Sequence, residues 1–150
     1  MGLKIIAELA QGFEGNFEQA KLLIRAAASS GADVAKFHLI FADELATTEY
    51  QHYKLFCSLE MGDQEWGKLL DYANSLNIGL TLEVLGIRGL QLCQKIGVKS
   101  IKLHPTDISN IGLLSQIAKS KIEQIYLGVG GAYLSEIKEA LNVLKNKKII

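Results

Sequence analysis

Residues 33–38 read Asp33-Val34-Ala35-Lys36-Phe37-His38, and residues 80–84 read Leu80-Thr81-Leu82-Glu83-Val84. In both runs two polar side chains, Lys36 and His38 in the first and Thr81 and Glu83 in the second, stand two positions apart between apolar ones. That period of two marks a β-strand, whose successive side chains point to opposite faces. A central strand of a doubly wound sheet is covered by helices on both faces and reads as apolar throughout. Strands that put Lys36, His38, Thr81 and Glu83 on one face need a polar interior on that side. The lumen of a barrel supplies one.

Strand and helix patterns alternate outward from these two runs. A strand is expected over 4–9, then a helix over 17–30 with Asn16 as N-cap and Gly31 as its C′ stop. After the strand at 33–38 comes an insertion over 39–61, carrying a short helix at 50–59. Asp63 is expected to cap a helix reaching 77, because Trp66, Leu69, Leu70, Ala73 and Leu76 fall on one face. The remaining units are shorter: strand 80–84, helix 88–96 stopped by Gly97, strand 98–104 and helix 111–119. Strand 125–129, helix 135–145 and a sixth strand beginning at Lys148 complete the pattern. Strands alternating with helices give a parallel sheet with right-handed crossovers. No strand–helix junction carries G-x-G-x-x-G; the nearest, Gly128-Val129-Gly130-Gly131-Ala132-Tyr133, ends in Tyr. The expected fold class is α/β: a (β/α)8 TIM barrel, present as an incomplete barrel of about six β/α units, in one domain over 1–150.

Composition narrows the function classes. Apolar residues make up 49% and charged residues 21%, with 16 Lys and Arg cancelling 16 Asp and Glu. Such a balance offers no field to nucleic acid or to an anionic membrane, and no stretch has the length of a membrane span. Lys145, Lys147 and Lys148 read as a solvated helix end. The opening Met1-Gly2-Leu3-Lys4 leads straight into a strand pattern without a signal-peptide layout, and Ile6 stands where a myristoylation signal has Ser or Thr. Cys57 and Cys93 read as reduced core thiols, so the expected address is cytoplasmic. Trp66, Phe56 and Tyr72 read as packing, and His52 as surface.

Strand parity then selects the lumen. With Ala7, Leu9, Ala35, Phe37, Leu80, Leu82, Val84, Ile101, Leu103, Ile125, Leu127 and Val129 facing the helices, the alternate positions face inward. One phase per strand thus sends Glu8, Lys36, His38, Glu83, Lys102 and His104 into one space, with Ser100, Tyr126 and Gly128 beside them. The charged positions lie toward the strands' C-terminal ends, where barrel active sites are built. Burying so many charges for stability alone is a poor solution, because desolvation often exceeds the Coulomb gain. Two lysines flanking one cavity suit an anionic substrate, a phosphate or a carboxylate. The glycine run Gly128, Gly130 and Gly131 offers either backbone N–H groups to a phosphate or a tight strand–helix turn.

Two longer stretches carry a family resemblance. Ile5-Ile6-Ala7-Glu8-Leu9-Ala10-Gln11-Gly12-Phe13-Glu14-Gly15-Asn16 resembles A-E-I-G-x-N-H-N-G-D, the opening of the sialic acid synthase (N-acetylneuraminate synthase, NeuB-like) family. Ala27-Ala28-Ser29-Ser30-Gly31-Ala32-Asp33-Val34-Ala35-Lys36-Phe37-His38 is similar to that family's A-A-x-x-G-A-D-A-V-K-F-Q. Ile96-Gly97-Val98, Ile101-Lys102-Leu103 and Asp107-Ile108-Ser109-Asn110 resemble its L-G-V…K-I-x-S-x-D-L-T-N, and Leu59-Glu60-Met61 with Trp66 its L-E-L…W. The resemblance implies a (β/α)8 barrel condensing phosphoenolpyruvate with N-acetylmannosamine or a related sugar to a nonulosonic acid, releasing phosphate. It implies a divalent metal, Mn²⁺ or Mg²⁺, that activates the sugar aldehyde. It places Glu8 at the sugar and metal end and Lys36 and Lys102 on the phosphoenolpyruvate, as catalytic residues. His38, Glu83, His104 and Gly130 are the expected substrate-binding positions. No metal ligand is assigned in this chain, because the family's metal-binding histidines follow the sixth strand.

The departures are specific. The family's N-H-N-G reads Gly12-Phe13-Glu14-Gly15, and its K-F-Q glutamine is His38. The threonine after strand three falls at Glu83, the serine of K-I-x-S at Pro105 and the serine after strand five at Gly128. Three hydroxyls expected on the phosphoenolpyruvate are thus absent, and a carboxylate has entered. The alternatives are a barrel enzyme for another anionic sugar or keto acid, or a non-catalytic sugar or sugar-phosphate binding module. The expected partners are small molecules rather than nucleic acid or membrane. The 150 residues alone are expected to be inactive and, through open sheet edges, to self-associate as a homo-oligomer or to be partly molten.

Overall fold

The computed structural model describes residues 2–150. The alternating runs become strands β1 (Ile6–Ala10), β2 (Val34–Leu39), β3 (Gly79–Val84), β4 (Ser100–Leu103), β5 (Gln124–Leu127) and β6 (Lys148–Ile149). Between them lie helices α1 (Phe17–Ser29), α2 (Ala42–Leu45), α3 (Tyr53–Ser58), α4 (Asp63–Ser75), α5 (Ile87–Ile96), α6 (Ile111–Lys119) and α7 (Leu134–Val143). A single 3₁₀ turn, Pro105–Asp107, follows β4. The strands form one sheet in the order β1-β2-β3-β4-β5-β6, and each neighbouring pair is parallel. A doubly wound sheet reverses its order at a switch point. This one never does, and it is an incomplete barrel.

The outer face of the sheet packs against the helices. Ala35, Phe37, Leu80, Leu82, Ile101, Leu103 and Ile125 are buried there with Ile24 of α1, Trp66 and Leu69 of α4, Leu90 of α5 and Ile117 of α6. At its centre Phe13, Phe37 and Trp66 meet edge to face, with ring centroids 5.4–6.0 Å apart. Asn16 caps α1 by accepting the Gln19 N–H at 3.0 Å, as its position before the helix predicts. Among the described residues, no helix is long and apolar enough to cross a membrane.

Several boundaries differ from the sequence reading. The insertion holds α2 as well as α3, and α3 is shorter than expected. Gly62 rather than Asp63 precedes the first turn of α4, where Glu65 accepts the Gly62 N–H at 2.8 Å. Strand β5 ends at Leu127, so Val129 lies beyond it and is 44% exposed instead of facing the helices. Phe56 is only half-buried and stacks on Tyr50, outside the core. Cys57 is exposed, whereas Cys93 is buried, and burial pushes its thiol up to about 12.

The aromatic trio makes a direct test of this packing. Trp66→Ala is expected to cost about 3–5 kcal/mol, read as a lower urea midpoint at unchanged slope. Leu22→Ala, 54% exposed on α1, is expected to stay within about 0.5 kcal/mol.

Candidate functional site

Register brings the inward positions together in two rows. One runs Glu8, Lys36, Thr81, Ser100 and Gln124 across β1 to β5. The next, nearer the C-terminal ends, runs His38, Glu83, Lys102 and Tyr126 across β2 to β5. Lys36 pairs with Thr81 in register, so Glu83 is its diagonal neighbour, within reach of a long side chain. The parity that sends apolar residues to the helices therefore places Glu8, Lys36, His38, Glu83 and Lys102 in one chamber, as expected.

Glu83 is the centre of it. The residue is 1% exposed, and its Oε2 accepts a hydrogen bond from Lys36 Nζ. Lys102 Nζ lies 3.0 Å from Oε1 and donates to Oε2 at 3.1 Å, and His38 Nε2 lies 3.1 Å from Oε2. Burial alone would raise the Glu83 pKa. Hydrogen bonds from His38, Lys36 and Lys102, with the Lys36 charge, overcome it and hold the carboxyl well below its ordinary range. Lys36 also pairs with Glu8 at 2.8 Å. Glu8 is held by a bulge at the end of β1, where its Oε1 accepts the Ala10 N–H at 3.0 Å and Ala10 adopts φ 47°. One row below, Thr81 and Ser100 share a hydrogen bond between their hydroxyls.

Two sequence-predicted residues fall elsewhere. His104 lies just past β4, where Pro105 ends the strand; its Nδ1 pairs with the Thr106 hydroxyl at 2.8 Å and accepts the Thr106 N–H at 3.3 Å. It thus caps the 3₁₀ turn and does not join the ion cluster. Gly130 is exposed in the β5–α7 loop, with nothing within 4 Å of where a Cβ would stand. Gly128 is packed instead: a Cβ there would lie 2.7 Å from the Pro105 ring and 2.8 Å from the Leu103 carbonyl oxygen. The Pro105 ring therefore excludes a side chain at 128, and two of the missing hydroxyls are lost together.

A cleft of about 730 Å³ opens at the C-terminal ends of the strands. Gln11, His38, Glu44, Phe56, His104 and Asp107 contribute to its lining. His38 belongs to both cleft and cluster, so the one opens onto the other. Sequence reading missed Glu44 because it sits in the unanticipated α2. Its Oε1 accepts the Arg88 N–H at the start of α5 at 2.8 Å, and Gly86 leaves room for the carboxyl, which a Cβ would approach to 2.6 Å. Among the described residues, three buried side-chain oxygens lack a well-directed hydrogen bond: Glu44 Oε2, Glu83 Oε1 and the Tyr126 hydroxyl. Tyr126 is the register partner of Lys102, and period-two alternation already turns it inward.

The structure also assembles donors that the sequence reading did not treat as metal ligands. Glu8, His38 and Glu83 offer ligand atoms within 4.8 Å of one another. Those donor types suit a divalent cation, but the Lys36 and Lys102 ammonium groups already answer both carboxylates. Two carboxylates and two ammonium groups sum to zero, and a dication would press against both lysines. As paired here, the group does not fit a divalent metal.

Comparison with known proteins gives a consistent picture. The family model described as the NeuB family matches residues 23–150, a span that includes Lys36, Glu83 and Lys102 but not Glu8. The chain is 32% identical over 154 residues to the N,N'-diacetyllegionaminic acid synthase of Campylobacter jejuni, covering 93% of this chain and 46% of that one. It is 30% identical over 142 residues to an uncharacterized protein of Methanocaldococcus jannaschii, covering 95% and 42%. Among solved structures, the N-acetylneuraminic acid (sialic acid) synthetase of Leptospira borgpetersenii superposes with a TM-score of 0.92 at 27% identity, over 99% of this chain and 53% of that one. The chain thus spans under half the length of these curated relatives.

The ionised state of Glu83 has a consequence for stability. Its folded pKa lies below the ordinary 4.5, so its contribution is complete above that value and is lost as pH falls through the folded pKa. Denaturant unfolding of the wild type is expected to weaken below pH 4.5 more steeply than that of Glu83→Gln, which lacks the group. Equal slopes in the two proteins would contradict the assignment.

Proposed function

The chain belongs to the NeuB family, and on that premise we propose a synthase that joins an anionic three-carbon donor to a sugar. The finer reading is condensation of phosphoenolpyruvate with N-acetylmannosamine or a related sugar to a nonulosonic acid, with release of phosphate. One observation carries it: Lys36 and Lys102 converge on a single point of the lumen, with Glu8 beside them. Phosphoenolpyruvate presents a carboxylate and a phosphate, and ammonium groups meet both through charge-assisted hydrogen bonds. Fixed cations also offset the charge that collects on the phosphate as it departs.

Lys36 and Lys102 are accordingly assigned to the donor. Glu8, whose side chain is half exposed at the end of β1, is assigned to the sugar, where a carboxylate accepts a hydroxyl proton. His38 and His104, both on the cleft, are assigned to the sugar as well. A divalent cation, Mn²⁺ or Mg²⁺, is assigned to residues other than the paired Glu8–His38–Glu83 group. The substrates are small molecules, the address is cytoplasmic, and the 150 residues alone are assigned no turnover.

A second reading, a non-catalytic sugar-binding module, is favoured by the pairing of both lysines with Glu83 and of Lys36 with Glu8, which leaves the chamber without net charge. Calorimetric titration separates the two. Phosphoenolpyruvate at millimolar concentration is expected to bind the chain, and Lys102→Met to weaken it about tenfold or more. Binding of N-acetylmannosamine without phosphoenolpyruvate would support the module, and binding of neither would overturn both.

A further inference from the structure

Both cations that the proposed donor needs are already answered by a carboxylate of the chain itself. Glu83 bonds Lys36 through Oε2 and has Lys102 Nζ 3.0 Å from Oε1 and 3.1 Å from Oε2. An incoming anion therefore competes with Glu83 for the two ammonium groups. The other charged or titratable groups about this point are Glu8 on β1, His38 on β2 and Tyr126 on β5, and none adds a spare positive charge while the imidazole is neutral. We propose that Glu83 is a specificity-determining residue: an internal anion seated between Lys36 and Lys102 where the donor's anionic group goes. Anion affinity at this site is then set by competition with the protein's own side chain. The inference rests on the reading of Lys36 and Lys102 as the anion-holding pair.

The surroundings give that competition a path. His38 Nε2 lies 3.1 Å from Glu83 Oε2, so a carboxylate parted from the lysines still has a hydrogen-bond partner beside it. The two lysines approach it from opposite sides, Lys36 from β2 and Lys102 from β4. Removing the carboxylate thus leaves two ammonium groups aimed at one vacated volume. A threonine at 83, the residue that the resemblance places there, would keep a hydroxyl for a ligand and bring no charge. The consequence is a chamber that discriminates against highly charged anions unless their contacts exceed what Glu83 already makes.

Inorganic phosphate is the suitable probe, because it carries the charge without the rest of the donor. Its affinity is to be measured by calorimetry for the wild-type chain, Glu83→Gln and Glu83→Thr, with folding checked by circular dichroism. Both variants are expected to bind phosphate about tenfold or more tighter than the wild type, and Lys102→Met in the Glu83→Gln background to cancel the gain. Wild-type binding as tight as that of the variants would overturn the proposal, as would folded variants that gain nothing. If the unpaired lysines prevent folding, Lys36→Met with Glu83→Gln removes one charge of each sign and still frees Lys102. That double variant is expected to exceed the wild type, and no gain there would overturn the proposal. A gain with phosphate in a chain whose wild type binds no phosphoenolpyruvate would support the competition while removing the synthase reading. Phosphoenolpyruvate binding without any gain would do the reverse.

Discussion

Taking a carboxylate out of water costs several kcal/mol, and it stays ionised only where cations and donors reach it in good geometry. Glu83 meets that condition through three side chains on the two strands flanking its own: Lys36 and His38 from β2, Lys102 from β4. The pairing of β2, β3 and β4 must therefore hold Lys36 opposite Thr81, His38 opposite Glu83 and Glu83 opposite Lys102. A slip of one residue in β3 would turn Glu83 into the helix layer and Leu82 into the chamber, reversing both faces at once. The apolar outer face and the charged inner one thus enforce the same register, and the positions of Glu8 and Tyr126 follow from it.

The lumen was legible in the sequence for a simple reason. Period-two alternation is geometric, so Lys36, Glu83 and Lys102 had to share a face once their apolar neighbours were given to the helices. Legibility fails where the period stops. His104 obeys the parity of β4, but Pro105 ends the strand and turns the imidazole to the Thr106 hydroxyl. Val129 obeys that of β5, yet the strand has already ended at Leu127. Glu44 and Phe56 lie in an insertion whose two short helices follow no repeat long enough to read. The pairing of Pro105 with Gly128 is a contact between two loops, and no local pattern announces it.

Family membership and chamber chemistry bear on different questions. The first establishes the barrel and a relationship to synthases of the sialic and legionaminic acid type. The second belongs to this chain: a carboxylate among the lysines and a proline ring against a side-chain-free glycine, where the resemblance leads one to expect hydroxyls. A fold carries many chemistries, and the side chains at its strand ends decide among them. Here those side chains form a closed set of charges in which each cation already has an anion.

Everything in this chamber turns on Glu83 being buried as an anion, held by Lys36, Lys102 and His38. Its most direct measurement is the ¹³C chemical shift of the Glu83 carboxyl followed by NMR as pH is lowered from 7. This carbon is expected to remain in its ionised position well below pH 4.5, the ordinary value for a glutamate. A midpoint at or above 4.5 would contradict it, because the carboxyl would then be buried without the cations that define the site.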